Sequence, residues 1–222
     1  MTGVFEAYKN DRANREKIKI AVFVSGGGTN LASLLKEESL GNIPHGQIDL
    51  VISNREDAYA LERARESGKK TVYIKSDKKN PDLFENKALA LLKENEIDLL
   101  VLAGFLSILS PTFISKYPDR ILNIHPSLIP AFCGPGYYGI KVHEKALERG
   151  VKVSGATVHM VNEVTDGGKI IMQKAVPVLE GDSPESLQKR IMEEAEWVLL
   201  PKAVEKLSKK IFKERERKTN AN

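Results

Sequence analysis

The sequence predicts an α/β protein built on a mostly parallel sheet with helices on both faces, extended by an antiparallel hairpin near the C-terminus. Two observations predict it. Through the first half, short apolar runs rich in β-branched residues alternate with helical patterns, which is how strands buried on both faces read. After Gly150 the strands lengthen, partly alternate in polarity and follow one another through an Asp-Gly-Gly turn.

The first strand is IKIAVFV (18–24), which runs into SGGGTN (25–30) and a helix over LASLLKEE (31–38). The second, IDLVIS (48–53), precedes a helix from about Asp57 to Ser67, with Asp57 as a cap and Gly68 as its end. TVYI (71–74) is a third strand, followed by the helix DLFENKALALLKEN (82–95); IDLLVLA (97–103) and ILNIH (121–125) are the fourth and fifth. KVSGATVHMVN (152–162) and KIIMQKAVPV (169–178) form the hairpin around EVTDGG. A last helix is expected from about Ser183 to Ser208, opened by Pro184 at its first position and kinked or broken at Pro201.

A chain of 222 residues with 41% hydrophobic and 29% charged residues fits one globular domain without disulfide or metal staples. The expected organisation is a single domain over 18–208, an N-terminal extension over 1–17 and a basic tail over 209–222. No apolar run approaches the roughly 20 residues of a membrane span, and the first 17 residues lack a signal peptide's apolar core. Cys133 is the single cysteine, which excludes an intrachain disulfide and fits a cytoplasmic location. The net charge of +4 equals that of Lys209 to Lys218, which holds six basic and two acidic residues. The interspersed Glu214 and Glu216 favour a solvated, frayed helix end over a nucleic-acid surface.

Three segments carry chemistry. Gly26, Gly27 and Gly28 stand between a strand and a helix, where bare backbone N–H groups and a helix N-terminus favour an anion. No Gly-Lys-Ser/Thr closes the loop, and Leu31 stands where a dinucleotide fingerprint has its third glycine, so one phosphate monoester is the expected ligand. The plainer reading is a tight turn with Thr29 or Asn30 as N-cap. Asn123 and His125 share one face at the carboxyl end of the fifth strand, where open α/β sheets bind ligands. His125 reads either as a core histidine or as a proton-transfer group, and Asn123 two residues before it favours the second. Asp166, in a turn, gains functional value only if the fold brings it to His125. The four histidines (His45, His125, His143, His159) and Cys133 show no metal-ligand spacing, so no metal is expected.

In order and spacing, SGGGTNL (25–31), ISNREDAYALERA (52–64), LAGFLSILSP (102–111), NIHPSLIP (123–130), GATVHMVNEVTDGGKII (155–171) and VPVLEGDSPESL (176–187) resemble the phosphoribosylglycinamide formyltransferase family of purine synthesis. The resemblance covers about residues 18–207 and implies a Rossmann-like, formyltransferase-like fold. It implies transfer of the formyl group of 10-formyltetrahydrofolate, a cosubstrate, to the amine of 5-phosphoribosylglycinamide. It places the family's catalytic residues on Asn123, His125 and Asp166, and its ribotide site on Gly28, Thr29, Asn30, Leu31 and Glu196, with Glu193 and Glu194 as rivals of Glu196. Its folate pocket falls on Leu106, Ser107, Ile108 and Leu109 and on Asn162, Val164 and Thr165. The loop after Pro130 is longer than in common members, and the basic residue that some members place near the folate tail has no clear match; the nearest candidates lie in residues 75–82, with Lys78 or Lys79 as substitutes.

On this reading Asn123 and a protonated His125 stabilise the oxyanion of a tetrahedral intermediate, with Asp166 holding His125 charged. The partners are small molecules; nucleic acid and membrane are not expected, and the assembly is a monomer or homodimer. The rival readings are formyltetrahydrofolate hydrolase or methionyl-tRNA formyltransferase on the same fold, and a non-catalytic nucleotide-sensing module. The first two usually carry an extra domain, for which the expected boundaries leave no room.

Overall fold

Seven strands form one sheet in the order β3-β2-β1-β4-β5-β6-β7. The computed structural model describes residues 17–77 and 80–219. Strands β1 (Ile18–Val24), β2 (Gly46–Ser53), β3 (Lys70–Tyr73), β4 (Leu99–Leu102) and β5 (Ile121–His125) run parallel. Strands β6 (Val153–Met160) and β7 (Ile170–Pro177) complete the sheet antiparallel, as the Asp-Gly-Gly turn predicts. The strand order reverses between β1 and β4, and this switch point opens a crevice at their carboxyl ends.

Period two along β1 feeds two cores. Ile18, Ile20, Val22 and Val24 join the core under α1 (Thr29–Ser39), α2 (Tyr59–Glu66), α6 (Pro184–Ile191) and the C-terminal helix α7 (Trp197–Thr219). Ala21 and Phe23 join the opposite core, filled by Phe84, Ala88 and Leu92 of α3 (Pro81–Glu94) and by Phe113 of the short α4 (Pro111–Ile114). Helices therefore cover both faces. At the expected start of α2, Asp57 pairs with Arg55 instead of capping, and the N-cap is Ala58. Gly68, at φ +69°, ends the helix as expected.

Two helices were not anticipated. Helix α4 is opened by Ser110, whose hydroxyl accepts from Phe113 N at 3.1 Å. Helix α5 (Ile140–Arg149) buries Val142, His143 and Ala146 and ends at Gly150 in the left-handed region. The last helix also differs from expectation. It breaks at one π-turn, Met192–Glu196, and Pro201 lies inside α7. The wide turn directly precedes Trp197, whose carbonyl the Pro201 ring would otherwise crowd. The helix expected to end near Ser208 continues to Thr219, because Ile211 extends the apolar face set by Leu207 and is 3% exposed. The start of the basic tail is thus anchored: Phe212 packs edge-on against His45 at 5.4 Å and Arg215 pairs with Asp98. Residues 1–16 of the expected extension and residues 220–222 lie outside the described residues. Among the described residues no helix is long and apolar enough to cross a membrane.

Gly28 is a position where only glycine fits. Its φ is +73°, and an added Cβ would stand 2.5 Å from Ala60 Cβ. Gly28→Ala is expected to lower the unfolding free energy by about 2 kcal/mol, measured by urea denaturation.

Candidate active site

The glycine loop leaves β1 and enters α1 with Gly28, not Thr29 or Asn30, as the N-cap; no side chain caps the helix. Thr29 and Asn30 stand in the first turn with side chains turned to the crevice. The Leu31 side chain is fully buried in the core, so this residue offers a ligand only its backbone. A hydrogen-bond chain fixes the loop to the segment after β4: Ser25 Oγ donates to Asn54 Oδ1 at 2.7 Å, Asn54 Nδ2 donates to Ser107 Oγ at 2.9 Å, and Leu106 N donates back to Ser25 Oγ at 3.0 Å.

The antiparallel pairing of β5 with β6 brings the chemical groups together. Asn123 lies opposite His159 and His125 opposite Thr157. Beyond β6 the chain turns at Asp166, at φ +56°, and returns its carboxylate beneath β5. His125 Nδ1 is 3.5 Å from Asp166 Oδ2, so the fold makes the approach on which the value of Asp166 depended. His125 Nε2 donates to Phe132 O at 2.9 Å, and Gly134 N donates to Asp166 Oδ2 at 2.8 Å, so the loop after Pro130 is held by both.

His159, given no role from the sequence, joins the other members. Its Nδ1 donates to Met160 O at 2.8 Å, which leaves Nε2 to accept from Asn123 Nδ2 at 3.1 Å. The same Nε2 is 3.6 Å from Asp166 Oδ1. The cross-strand position opposite Asn123 was the available signal, but it needs the register of β6, which the sequence does not specify.

Electrostatics qualify one expectation. Burial pushes His125 below the ordinary imidazole range; Asp166 and the Phe132 carbonyl pull the other way without overcoming it. Asp166 does not, by itself, hold His125 charged. Two acceptors face the two ring nitrogens, an arrangement that suits an imidazolium, but desolvation of the ring wins. Burial also raises Asp166, yet the neighbouring His159 and His125 rings and the Gly134 N–H outweigh it and leave the carboxyl below its usual range. His143, 1% exposed at the cavity wall, is pushed down to about 4 by burial and by His125.

Of the three candidate glutamates, only Glu196 is turned into the cavity; Glu193 and Glu194 are exposed. The π-turn carries it there, beside α1, where Asn30 Nδ2 donates to Glu196 Oε2 at 2.7 Å. Burial pushes its carboxyl up to about 7, against the Asn30 hydrogen bond.

A cavity of about 440 Å³ joins these groups. Its apolar wall is Leu106, Ile108 and Leu109 on one side and Val164 on the other, with Ser107, Asn162 and Thr165 between. Leu106, Ile108 and Val164 are 58%, 73% and 65% exposed, an apolar mouth suited to a flat ring system. Lys78 and Lys79 lie outside the described residues. Among the described residues no group of three or more His, Cys, Asp or Glu is arranged to hold a metal ion.

The chain belongs to the formyl transferase family, whose model matches residues 18–204 and so spans the mostly parallel sheet and its crevice. Its relatives within that family include phosphoribosylglycinamide formyltransferases. It is 39% identical over 184 residues to the Haemophilus influenzae enzyme, covering 82% of this chain and 84% of that one. It is 41% identical over 178 residues to the chloroplastic enzyme of Arabidopsis thaliana, covering 79% of this chain but only 61% of that longer protein. Glycinamide ribonucleotide transformylase 1 from Symbiobacterium toebii superposes with a TM-score of 0.80 at 41% identity, covering 87% of this chain and 88% of that one.

The buried carboxyl gives a prediction independent of any ligand. Glu196 holds its proton to about pH 7 when folded but releases it near 4.5 when unfolded, so the unfolded chain binds fewer protons between those values and stability falls as pH rises through that window. Glu196→Gln removes the loss. Relative to wild type, the variant is expected to gain up to about 3 kcal/mol on going from pH 4.5 to pH 8, measured by urea denaturation at both pH values.

Proposed function

We propose that the chain transfers the formyl group of 10-formyltetrahydrofolate to the amine of 5-phosphoribosylglycinamide. The observation that carries this reading is the convergence of Asn123, His125 and Asp166, joined through His159, on a cavity that Thr29 and Asn30, directly after the glycine loop, also line. The ribotide phosphate is assigned to the backbone of Gly28, Thr29, Asn30 and Leu31, with Glu196 beside it. The apolar mouth formed by Leu106, Ile108 and Val164, with Ser107, Leu109, Asn162 and Thr165, is assigned to the folate ring, and its composition fits a flat heterocycle.

When bound, the folate cosubstrate supplies the activated formyl group. Asn123 uses one amide hydrogen for His159 and keeps the second for the formyl oxygen. His125 donates through Nε2, exchanging the Phe132 carbonyl for the oxygen that becomes negative as the amine attacks. That developing charge and Asp166 together oppose the burial of the ring, so the imidazolium is favoured when it is needed. The proton of the attacking amine passes to the departing folate nitrogen, with the His125–Asp166 pair placed to mediate. No covalent enzyme intermediate is required, so Ser127 and Cys133 have no role as nucleophiles.

The reading includes a single catalytic unit over residues 18–208, with its last helix running on, and a cytoplasmic location. Every residue named lies in one chain, so a monomer suffices and a homodimer is compatible.

The test follows absorbance of 10-formyltetrahydrofolate with and without the ribotide. Turnover is expected only with the ribotide. Turnover without it would mark a hydrolase, and none in either case a binding module. Asn123→Ala is expected to lower kcat by about 10²–10³. His125→Ala is expected to lose turnover while still binding the ribotide, as read by calorimetry; wild-type turnover would remove His125 from the mechanism.

A further inference from the structure

The three glycine carbonyls of the loop are all engaged, and one of them by a charge. Gly26 O accepts from Ala60 N at 3.0 Å, Gly28 O accepts from Ala32 N at 2.8 Å, and Gly27 O accepts from Arg63 Nε at 2.9 Å. A trans peptide points its N–H opposite to its C=O. Tying the carbonyls therefore aims the N–H groups of Gly27, Gly28 and Thr29 away from these partners, and among the described residues none of the three N–H groups has an acceptor. Two of the ties are backbone to backbone and follow from the seat of α2 and the start of α1. The third depends on a side chain.

Arg63 stands on α2, one turn beyond Tyr59, with its guanidinium 4.8 Å from the Tyr59 ring centroid. It does not line the cavity that holds Asn123 and His125, and its tie to the loop is the Gly27 carbonyl, which shares a peptide with the Gly28 N–H. Its acidic helix neighbour Glu62 pairs instead with Arg65.

We propose that Arg63 is a positioning residue of the phosphate subsite: by holding the Gly27 carbonyl it aims and polarises the Gly28 N–H toward a phosphate monoester dianion. Charge-assisted hydrogen bonds are the stronger ones, and a positive charge on the far side of a peptide strengthens its donor while offsetting the ligand's charge. The inference rests on the assignment of the glycine loop to the ribotide phosphate, and it deepens that assignment by naming what distinguishes a dianion from a neutral group.

The test is calorimetry of the full chain with inorganic phosphate and with ribose 5-phosphate, for wild type, Arg63→Met and Arg63→Lys. Arg63→Met, which keeps the apolar stem, is expected to weaken both ligands by about tenfold or more. Lysine keeps the charge without the fixed N–H direction and is expected to fall between. The second readout is pH. Ribose 5-phosphate, a monoester, gains its second charge near pH 6, so its affinity for wild type is expected to rise from pH 5.5 to 7.5, and Arg63→Met to lose most of that rise. In the transfer assay the same variant is expected to raise the ribotide KM with kcat and the folate KM nearly unchanged. If a folded Arg63→Met chain binds phosphate as wild type does, or if all ligands weaken together without a change in pH dependence, the proposal is overturned. If wild type itself binds neither probe, the phosphate assignment fails along with it.

Discussion

The register between β5 and β6 is the constraint on which the site depends. Antiparallel pairing sets Asn123 opposite His159 and His125 opposite Thr157, and it sends the chain beyond Met160 into the turn that returns Asp166. A slip of one residue would turn the alternate side chains of β6 to the opposite face and remove His159 from Asn123. The parallel half of the sheet contributes differently. Its switch point opens the crevice, and its first crossover brings Thr29 and Asn30, directly after the glycine loop, to the same cavity as Asn123 and His125.

Burial governs the electrostatics of that cavity more than pairing does. His125 and His143 are both held toward the neutral form and Glu196 is held toward the protonated form, although His125 has a carboxylate within 3.5 Å and Glu196 accepts a hydrogen bond from Asn30. Asp166 is held the other way, toward its charged form, because the His159 and His125 rings and the Gly134 N–H face it. Of His125, His143, Glu196 and Asp166, the first three are thus held toward their uncharged forms and Asp166 toward its anion, so these groups respond to charge carried in by a ligand.

Much of this was legible in the sequence because it rests on local signals. The buried strands are continuous apolar runs, the glycine loop announces itself by composition, and Asn123 and His125 are placed together by a period of two. What was not legible depends on register or on one inserted residue. Helix α5 has a short apolar stripe, Val142, His143 and Ala146, and it follows a glycine- and proline-rich loop that masks its start. The end of α7 was hidden by basic residues that share its surface with Ile211 and Phe212. His159 has no motif of its own and acquires its contacts only when β6 pairs with β5. The net direction of the His125 titration was likewise out of reach, since it depends on how much water the fold excludes, not on which residues are neighbours.

The π-turn at Met192–Glu196 has a consequence for how such a chain tolerates change. One residue added to a helix rotates everything beyond it by about 100° relative to everything before it. Here that rotation lets α6 keep Leu187 and Ile191 in the core and α7 keep Leu200 and Val204 there, while the residue at the junction is free to present a carboxylate inward. Deleting a single residue from the turn would restore a regular helix and swing either the carboxylate or one of the two packing faces out of alignment. The segment is thus a place where chain length, more than side-chain identity, decides whether the cavity contains an acid.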